Sequence, residues 1–229
     1  MGRLTIGHIK MNKMKTILPV YFIAGIEDIR HLSGDPAQNL LSVLKQALEA
    51  GITCFQFRDK GEHSLANQPI AQKALAQQCQ ALCRTFNVPF VINDDVALAL
   101  ELAADGVHVG QGDMPIETVL ARTQGKMFVG LSTHSLVQAQ LAQANPHIDY
   151  IGVGPIFPTQ SKKDQDPAVG LDFVAYLRQV GITKPIVAIG GVNAESAPRL
   201  LGDGADGVAV ISAIAQASDI AAVVKSLKG

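Results

Sequence analysis

The chain has 229 residues, of which 48% are hydrophobic and 17% are charged, and its formal net charge is -1. This near-neutral balance gives no reason to expect nucleic acid or an anionic membrane as a partner, so any anion site must be local. No apolar run approaches the roughly 18 to 20 residues of a membrane span, and the three cysteines lack metal-ligand spacing. We therefore expect a cytoplasmic protein with free thiols, and one domain is the simplest organisation for this length.

The amino-terminal segment is basic. Residues 1–15 carry four Lys or Arg side chains and no carboxylate, ahead of the first strand pattern. Such a segment can be a targeting sequence or a nucleic-acid arm, but a frayed terminus or a start codon placed too far upstream is the commoner meaning. We therefore predict a basic, frayed tail over residues 1–15 and a folded domain over residues 16–229.

Short runs rich in β-branched residues alternate with longer helical patterns through the rest of the chain, which favours parallel strands joined by helical crossovers. The predicted strands are residues 18–23, 52–57, 88–92, 106–109, 127–131, 149–153, 185–189 and 206–210. Eight strand–helix units in about 210 residues, without a linker-like stretch, predict a single-domain (β/α)₈ TIM barrel. A doubly wound open sheet is the structural alternative.

The clearest helix lies between the first two strands. Leu40 and Leu44 belong to one apolar stripe at helical spacing. Asp35 and Pro36 suit the N-cap and first helical positions, and Gly51 suits the position after the last turn. These signals predict a helix that begins near residue 36 and ends before residue 51.

Two later helices are predicted from their ends and faces. Ser135 and Gln138 form a capping-box pattern that begins a helix after the fifth strand. One apolar face after the eighth strand predicts a single last helix. That face consists of Ala213, Ala217, Ala221 and Val224.

Polar side chains follow several predicted strands at their carboxyl ends, where TIM barrels bind ligands. They are Gln56, Arg58 and Lys60 after strand two, Asn93 and Asp94 after strand three, Gln111 and Asp113 after strand four, and Ser132 after strand five. Asp94 and Asp113 could hold a divalent metal through oxygen, while Arg58 and Lys60 could neutralise phosphate oxygens. The sequence therefore predicts a diphosphate-and-magnesium site on this face.

A second anion site of a different kind is predicted after the last two strands. Gly190-Gly191 follows strand seven, and Ile211-Ser212 begins the segment after strand eight. Glycine lets the backbone approach a phosphate, and a helix N-terminus presents free N–H groups. The glycine pair could also merely turn the chain tightly. The loop over residues 154–163 is the longest on this face and could close over a ligand.

Six ordered motifs, from about residue 20 to the last helix, resemble those of the thiamine phosphate synthase family. They are QFRDK at 56–60, VIND at 91–94, DGVHVGQGD at 105–113, GLSTH at 130–134, GVGPIFPTQSK at 152–162 and VAIGG at 187–191. Many family members carry Thr-Asp at the end of the first strand, where this chain has Ala24-Gly25. This difference removes one polar contact but leaves the resemblance intact.

The resemblance implies a TIM-barrel transferase of thiamine biosynthesis. It would join an aminopyrimidinylmethyl diphosphate to hydroxyethylthiazole phosphate, or to its carboxylated form, and release pyrophosphate. The implied pyrimidine diphosphate side is Gln56, Phe57, Arg58, Asp59, Lys60, Asn93, Ser132 and Lys162, of which Arg58, Lys60, Ser132 and Lys162 are the catalytic set. The implied thiazole phosphate side is Thr159, Gln160, Ser161, Gly191, Ile211 and Ser212. One Mg²⁺ per active site is implied on Asp94 and Asp113.

The chemistry of this reaction needs no general base on the thiazole, whose nitrogen already has a lone pair. The difficult event is the departure of pyrophosphate, which an electron-rich aminopyrimidine assists by sharing positive charge, so a dissociative, carbocation-like path is expected. His108, within a strand pattern, is then more simply a structural hydrogen-bonding residue than an acid or base. Copies of the same chain remain an open partner class.

Two other functions fit part of the pattern. A thiazole phosphate tautomerase-like relative would lack part of the diphosphate apparatus, whereas Arg58, Lys60, Asp94, Asp113 and Lys162 are all present. A non-catalytic barrel that binds a phosphorylated thiazole would need only the side formed by Gly191 and Ser212. Ligand binding without turnover would identify such a protein.

Overall fold

The chain folds into a closed parallel barrel. A computed structural model describes residues 6–159 and 167–228, in which strands pair in chain order and the first also pairs with the eighth. The strands are β1 Val20–Ala24, β2 Cys54–Phe57, β3 Phe90–Asn93, β4 Gly106–Val109, β5 Phe128–Thr133, β6 Tyr150–Val153, β7 Ile186–Ile189 and β8 Gly207–Val210. The predicted (β/α)₈ barrel is confirmed, because every strand pairs on both sides, whereas an open sheet would have two edge strands with one neighbour each.

Helices lie between the strands and around the barrel. They are α1 Ile6–Ile17, α2 Pro36–Glu49, α3 Pro69–Thr85, α4 Val96–Glu101, α5 Ile116–Thr123, α6 Leu136–Ala144, α7 Phe173–Gln179, α8 Ala197–Gly202, α9 Ser212–Ala215 and α10 Ile220–Leu227. The predicted start of α2 is confirmed, since the Asp35 carboxylate accepts the Gln38 N–H at 2.8 Å. Ser135 caps α6 in the same way through Gln138 N–H. Within the described ranges, no helix combines the length and the apolar character needed to cross a membrane.

The segment after β8 differs from the prediction of one continuous helix. It forms two helices, α9 and α10, with a break over residues 216–219. The Asp219 carboxylate accepts the Ala222 N–H at 2.9 Å and so begins α10 afresh. Ala213 and Ala217 therefore do not share a helix with Ala221. An N-cap residue inside an apolar alanine pattern is the local reason for the break.

The amino terminus also differs from the predicted tail. Helix α1 covers residues 6–17, and the side chains of Met14 and Ile17 are only 2% and 5% exposed. Together with Leu18 they pack against the interior of the barrel, beside Tyr21 and Cys54. Their spacing puts them on one helical face, which covers an apolar opening that only the closed barrel creates. Residues 1–5 lie outside the described ranges.

Alternation along the strands divides the core into two layers. In β1, Val20, Phe22 and Ala24 belong to the cluster between barrel and helices, while Tyr21 and Ile23 belong to the cluster inside the barrel. The same period of two holds in the other strands, as pleated strands require. The barrel is thus a packed solid near its bottom, and the inward residues nearer the carboxyl ends of the strands form the floor of a cavity.

Candidate active site

One large cavity, of about 1050 Å³, lies at the carboxyl ends of the strands. Loops after all eight strands contribute to its lining. The predicted site residues that line it are Gln56, Arg58, Lys60, Asn93, Asp94, Asp113, Ser132, Thr159, Gly191, Ile211 and Ser212. Gln160, Ser161 and Lys162 lie outside the described residues, so their position remains a prediction. The topology therefore gathers residues that are more than 150 positions apart, such as Arg58 and Ser212.

Two predicted substrate-binding residues, Phe57 and Asp59, do not line the cavity. Phe57 is 3% exposed and packs between the barrel and its helices, because it follows the inward-facing Gln56 in a strand of period two. Asp59 is buried and accepts N–H groups of Ile26 at 3.2 Å and Leu65 at 2.9 Å. These bonds tie two loops together, so the side chains of Phe57 and Asp59 do not face the cavity, and a part for either residue in substrate binding stays a prediction.

Two carboxylates and one ammonium form the charged end of the cavity. Asp94 follows β3 and Asp113 follows β4, and Lys60 contacts Asp94 directly while its Nζ lies 3.8 Å from Asp113 Oδ1. Asn93 Nδ2 donates to Asp94 Oδ2 at 2.7 Å, and the Gly110 N–H donates to Asp113 Oδ2 at 2.8 Å. The predicted metal ligands and the predicted phosphate-binding lysine are therefore neighbours.

The two carboxylates raise the energy of each other's charged form. Burial raises the pKa of Asp94 to about 6, the neighbouring Asp113 carboxylate adds to the rise, and Lys60 opposes it. Asp94 also has a φ of 60°, in the left-handed region, with its N–H donated to the His108 carbonyl at 2.8 Å. The backbone thus holds this carboxylate where burial and Asp113 disfavour its charge and Lys60 favours it.

The oxygen donors of this pair suit a hard divalent cation. In the described part of the chain, no group of three or more His, Cys, Asp or Glu side chains could hold a metal by itself. Mg²⁺ is commonly bound by only one or two carboxylates, with water and substrate phosphate completing its shell. A two-carboxylate site is therefore of the kind that binds Mg²⁺ together with a phosphorylated substrate.

The charge of the cavity supports the same interpretation. Among the described residues that line it, the cations Arg58 and Lys60 are outnumbered by carboxylates. The carboxylates are Glu27, Asp28, Asp94 and Asp113. A diphosphate would be repelled by this set unless further positive charge joined Arg58 and Lys60.

A row of hydrogen bonds runs across the interior of the barrel to the floor of the cavity. Gln56 Nε2 donates to the Tyr21 hydroxyl at 2.8 Å, and the Tyr21 and Tyr150 hydroxyls are 2.9 Å apart. His108 Nδ1 lies 2.9 Å from the Tyr150 hydroxyl, and His108 Nε2 lies 2.9 Å from Ser132 Oγ. We call these five residues the interior row. The sequence marked Gln56, His108 and Ser132 but not the two tyrosines.

The opposite end of the cavity is lined by backbone. Gly190 and Gly191 have φ values of 93° and 69°. A Cβ on Gly190 would lie 2.5 Å from Pro155 Cα, and one on Gly191 would lie 2.7 Å from Phe157 Cβ. The pair therefore turns the chain tightly and also allows the loop after β6 to approach. Ser212, the first residue of α9, lines the same end.

The loop after β1 contributes residues that sequence reasoning missed. A Cβ on Gly25 would lie 2.1 Å from the Arg58 carbonyl oxygen, so a larger residue here would require the loop after β2 to shift. Asp28 lines the cavity, and its Oδ2 accepts the Gly25 N–H at 2.9 Å. Burial raises the pKa of Asp28 to about 6, although the Gly25 N–H and the Arg58 charge oppose the rise. The Ala24-Gly25 sequence was the feature that could have drawn attention to this loop.

Comparison with known proteins gives a consistent result. The family model for thiamine monophosphate synthase matches residues 20–214. The thiamine-phosphate synthase of Actinobacillus succinogenes is 56% identical over 217 residues, which are 95% of this chain and 98% of that protein. The protein of the same name from Mannheimia succiniciproducens is 57% identical over 217 residues, 95% of this chain and 99% of that one. The solved thiamine phosphate pyrophosphorylase of Pyrococcus furiosus has a TM-score of 0.77 and 30% identity, covering 93% of this chain and 95% of that one.

Proposed function

Because the chain belongs to the thiamine monophosphate synthase family, we propose that its cavity binds two phosphorylated substrates and joins them into thiamine phosphate. The chain is accordingly a transferase of thiamine biosynthesis. The proposed substrates are an aminopyrimidinylmethyl diphosphate and hydroxyethylthiazole phosphate, or its carboxylated form. The observation that supports this pairing is one cavity with two unlike ends, one charged and one lined by backbone.

The charged end is proposed to hold the pyrimidine diphosphate. Arg58 and Lys60 would neutralise its phosphate oxygens, with Lys162 joining them from the loop after β6. Asp94 and Asp113 would hold Mg²⁺, which when bound supplies positive charge that stabilises the leaving pyrophosphate. Gln56 and Asn93 offer amide groups beside this end and would orient the pyrimidine.

The backbone-lined end is proposed to hold the thiazole phosphate. Gly191, Ile211 and Ser212 present main-chain groups around a space without a charged side chain of their own. Thr159, together with the predicted Gln160 and Ser161, would cover this substrate from the loop after β6. A monophosphate suits such an end because it carries less charge than a diphosphate.

The carbon–oxygen bond to pyrophosphate would break first, and the thiazole nitrogen would then attack the methylene carbon with its lone pair. No side chain need remove a proton for this step. The Ser132–His108 pair does not extend to a hydrolytic triad among the described residues, because the other ring nitrogen of His108 meets the Tyr150 hydroxyl rather than a carboxylate. Ser132 is proposed to act as a hydrogen-bond donor to the departing group.

The decisive experiment incubates purified protein with both substrates and Mg²⁺ and follows thiamine phosphate and pyrophosphate by chromatography. Formation of both products in equal amounts is expected. If neither forms while the protein remains folded, the proposal fails. Binding of the thiazole phosphate without turnover would favour a non-catalytic barrel, and conversion of the thiazole phosphate alone would favour a tautomerase-like relative.

The metal assignment has its own test. Asp94→Asn and Asp113→Asn should each raise the Mg²⁺ concentration needed for activity and weaken Mg²⁺ binding measured by calorimetry with the diphosphate present. Asp95→Asn is a matched control, because the exposed Asp95 only caps α4 through the Leu98 N–H, a role that asparagine also fills. Wild-type Mg²⁺ dependence in both variants would refute the assignment.

The loop lysine can be separated from the metal. Lys162→Ala should lower the rate of bond breaking by about 10²- to 10³-fold, the usual loss for one well-placed electrostatic contact, with Mg²⁺ affinity changed much less. Single-turnover measurements across a Mg²⁺ titration distinguish the two effects. An unchanged rate would show that Lys162 is an exposed residue outside the reaction.

Location and assembly remain predictions. We propose that the reaction takes place in the cytoplasm, in keeping with the composition and the free cysteines. Small phosphorylated molecules are the proposed partners, and neither nucleic acid nor a membrane is expected from the near-neutral charge. Association with further copies of the chain is proposed only as an open partner class.

A further inference from the structure

The interior row is enclosed by protein along most of its length. Gln56, Tyr21 and Tyr150 are at most 1% exposed, and Ser132 is 8% exposed. Buried polar groups are stable only when they bond to one another, and in a row each bond limits the next. The direction of the hydrogen bonds can therefore be followed from one end to the other.

The direction begins at Gln56, whose amide N–H can only donate. The Tyr21 oxygen accepts this bond, and either hydroxyl could donate across the 2.9 Å between Tyr21 and Tyr150. Donation by Tyr21 is the direction in which both hydroxyl protons have an oxygen or nitrogen acceptor within the row. In this direction the Tyr150 proton goes to His108 Nδ1, which lies 2.9 Å from the hydroxyl. A neutral imidazole that accepts at Nδ1 carries its proton on Nε2, and that proton points to Ser132 Oγ.

We propose that the interior row fixes His108 in the Nε2-protonated tautomer and so makes Ser132 a hydrogen-bond donor toward the cavity. This inference rests on the proposed function, because the oxygens of a leaving pyrophosphate are acceptors. In the opposite tautomer, Ser132 would donate to His108 and present only lone pairs to those oxygens. Tyr150 and His108 are thus positioning residues that act through Ser132.

The surroundings of the row are shaped to hold it. A Cβ on Gly130 would lie 2.2 Å from the Tyr150 ring and 2.5 Å from His108 Nδ1, and one on Gly152 would lie 3.2 Å from His108 Cε1. Gln111 Nε2 also donates to the Ser132 carbonyl at 2.6 Å and fixes the backbone of the serine. Glycines at 130 and 152 therefore provide the space in which the two rings meet.

The tautomer can be measured without any substrate. Long-range ¹H–¹⁵N spectra of histidine-labelled protein, with the His108 signals assigned by their absence from His108→Gln, should show the proton on Nε2. A proton on Nδ1 would overturn the inference. Because this spectrum is recorded on the wild-type protein without substrate, it decides the tautomer of His108 independently of the reaction. Failure to form thiamine phosphate would refute only the proposed function.

Matched tyrosine variants test the source of the tautomer. Tyr150→Phe removes the donor to His108 Nδ1, and Tyr21→Phe removes the group that sets the direction of the Tyr150 hydroxyl, so each variant should produce a mixture of tautomers. Tyr176→Phe, on the surface of α7, is the control and should change neither the spectrum nor the rate. A wild-type His108 spectrum in Tyr150→Phe would overturn the inference.

A double-mutant cycle tests whether Tyr150 acts through Ser132. Ser132→Ala should lower the single-turnover rate by about 10²- to 10³-fold, the loss typical of one donor to a developing anion. Tyr150→Phe should lower kcat by roughly tenfold, the effect of losing the net free energy of about one hydrogen bond, with little change in KM. In the Ser132→Ala background, Tyr150→Phe should have no further effect. Fully additive losses would overturn the inference.

Discussion

Substitution of Gly130 by alanine is the sharpest test of the barrel interior. The new Cβ would lie 2.2 Å from Tyr150 Cζ and 2.5 Å from His108 Nδ1, and Tyr150 is fully buried, so a ring must move. Overpacking of this kind typically lowers the free energy of unfolding by about 1 to 3 kcal/mol, and the strained His108–Tyr150 hydrogen bond adds about 1 kcal/mol. For a domain of this size, the melting temperature should fall by roughly 5 to 15 °C.

The assay is thermal and urea unfolding of a graded series, with single-turnover rates measured alongside. Gly152→Ala places its Cβ 3.2 Å from His108 Cε1 and should have a smaller effect. Gly202→Ala in α8 meets nothing within 4 Å and should be neutral or stabilising by about 0.5 to 1 kcal/mol. If Gly130→Ala unfolds at the same temperature as Gly202→Ala, the tight packing of the two rings around residue 130 is wrong.

Three further outcomes are expected. Because the pKa of Asp28 is raised from 3.8 to about 6, the free energy of unfolding should fall as pH rises through that window. Asp28→Asn should make this fall smaller and raise the free energy of unfolding by up to about 3 kcal/mol at neutral pH; identical urea midpoints across pH would contradict this. Met14→Ala should lower the free energy of unfolding by about 2 to 5 kcal/mol, whereas Lys13→Ala, at an exposed neighbour, should leave it nearly unchanged. Equal melting temperatures of the two variants would show that α1 does not stabilise the barrel. Ser212→Leu should weaken thiazole phosphate binding in calorimetry, while the pyrimidine diphosphate should still bind. The control Ser218→Leu, at an exposed serine, should have no effect; equal loss of affinity for both substrates would contradict the division of the cavity into two binding ends.

The strands could be predicted closely because each is an apolar run between polar, glycine or proline residues. Each observed strand begins and ends within two residues of its predicted bounds. The predictions began early where apolar residues ahead of the strand are also buried, as with Leu18 before β1. Site residues such as Lys60 and Asp94 were predictable for a related reason: once the strands are parallel, their carboxyl ends must share one face.

The remaining features depend on contacts that local sequence does not contain. The Tyr21–Tyr150 bond joins residues 129 positions apart and forms only when the barrel closes. The covering of the barrel bottom by Met14 depends on the same closure. Phe57 and Asp59 were assigned to substrate because they stand inside a motif, whereas the pleat and the loop hydrogen bonds turn them away from the cavity.

The position of Lys60 between two carboxylates has a consequence for the order in which ligands bind. Its ammonium already compensates Asp94 and Asp113, so a divalent ion that arrives alone must compete with an internal cation for the same oxygens. A diphosphate changes this competition, because it offers the displaced ammonium a new anionic partner. If the proposed Mg²⁺ and diphosphate both bind here, thermodynamic linkage requires that any strengthening of one by the other be reciprocal and of the same factor. The protein should therefore take up the metal and the diphosphate as one unit.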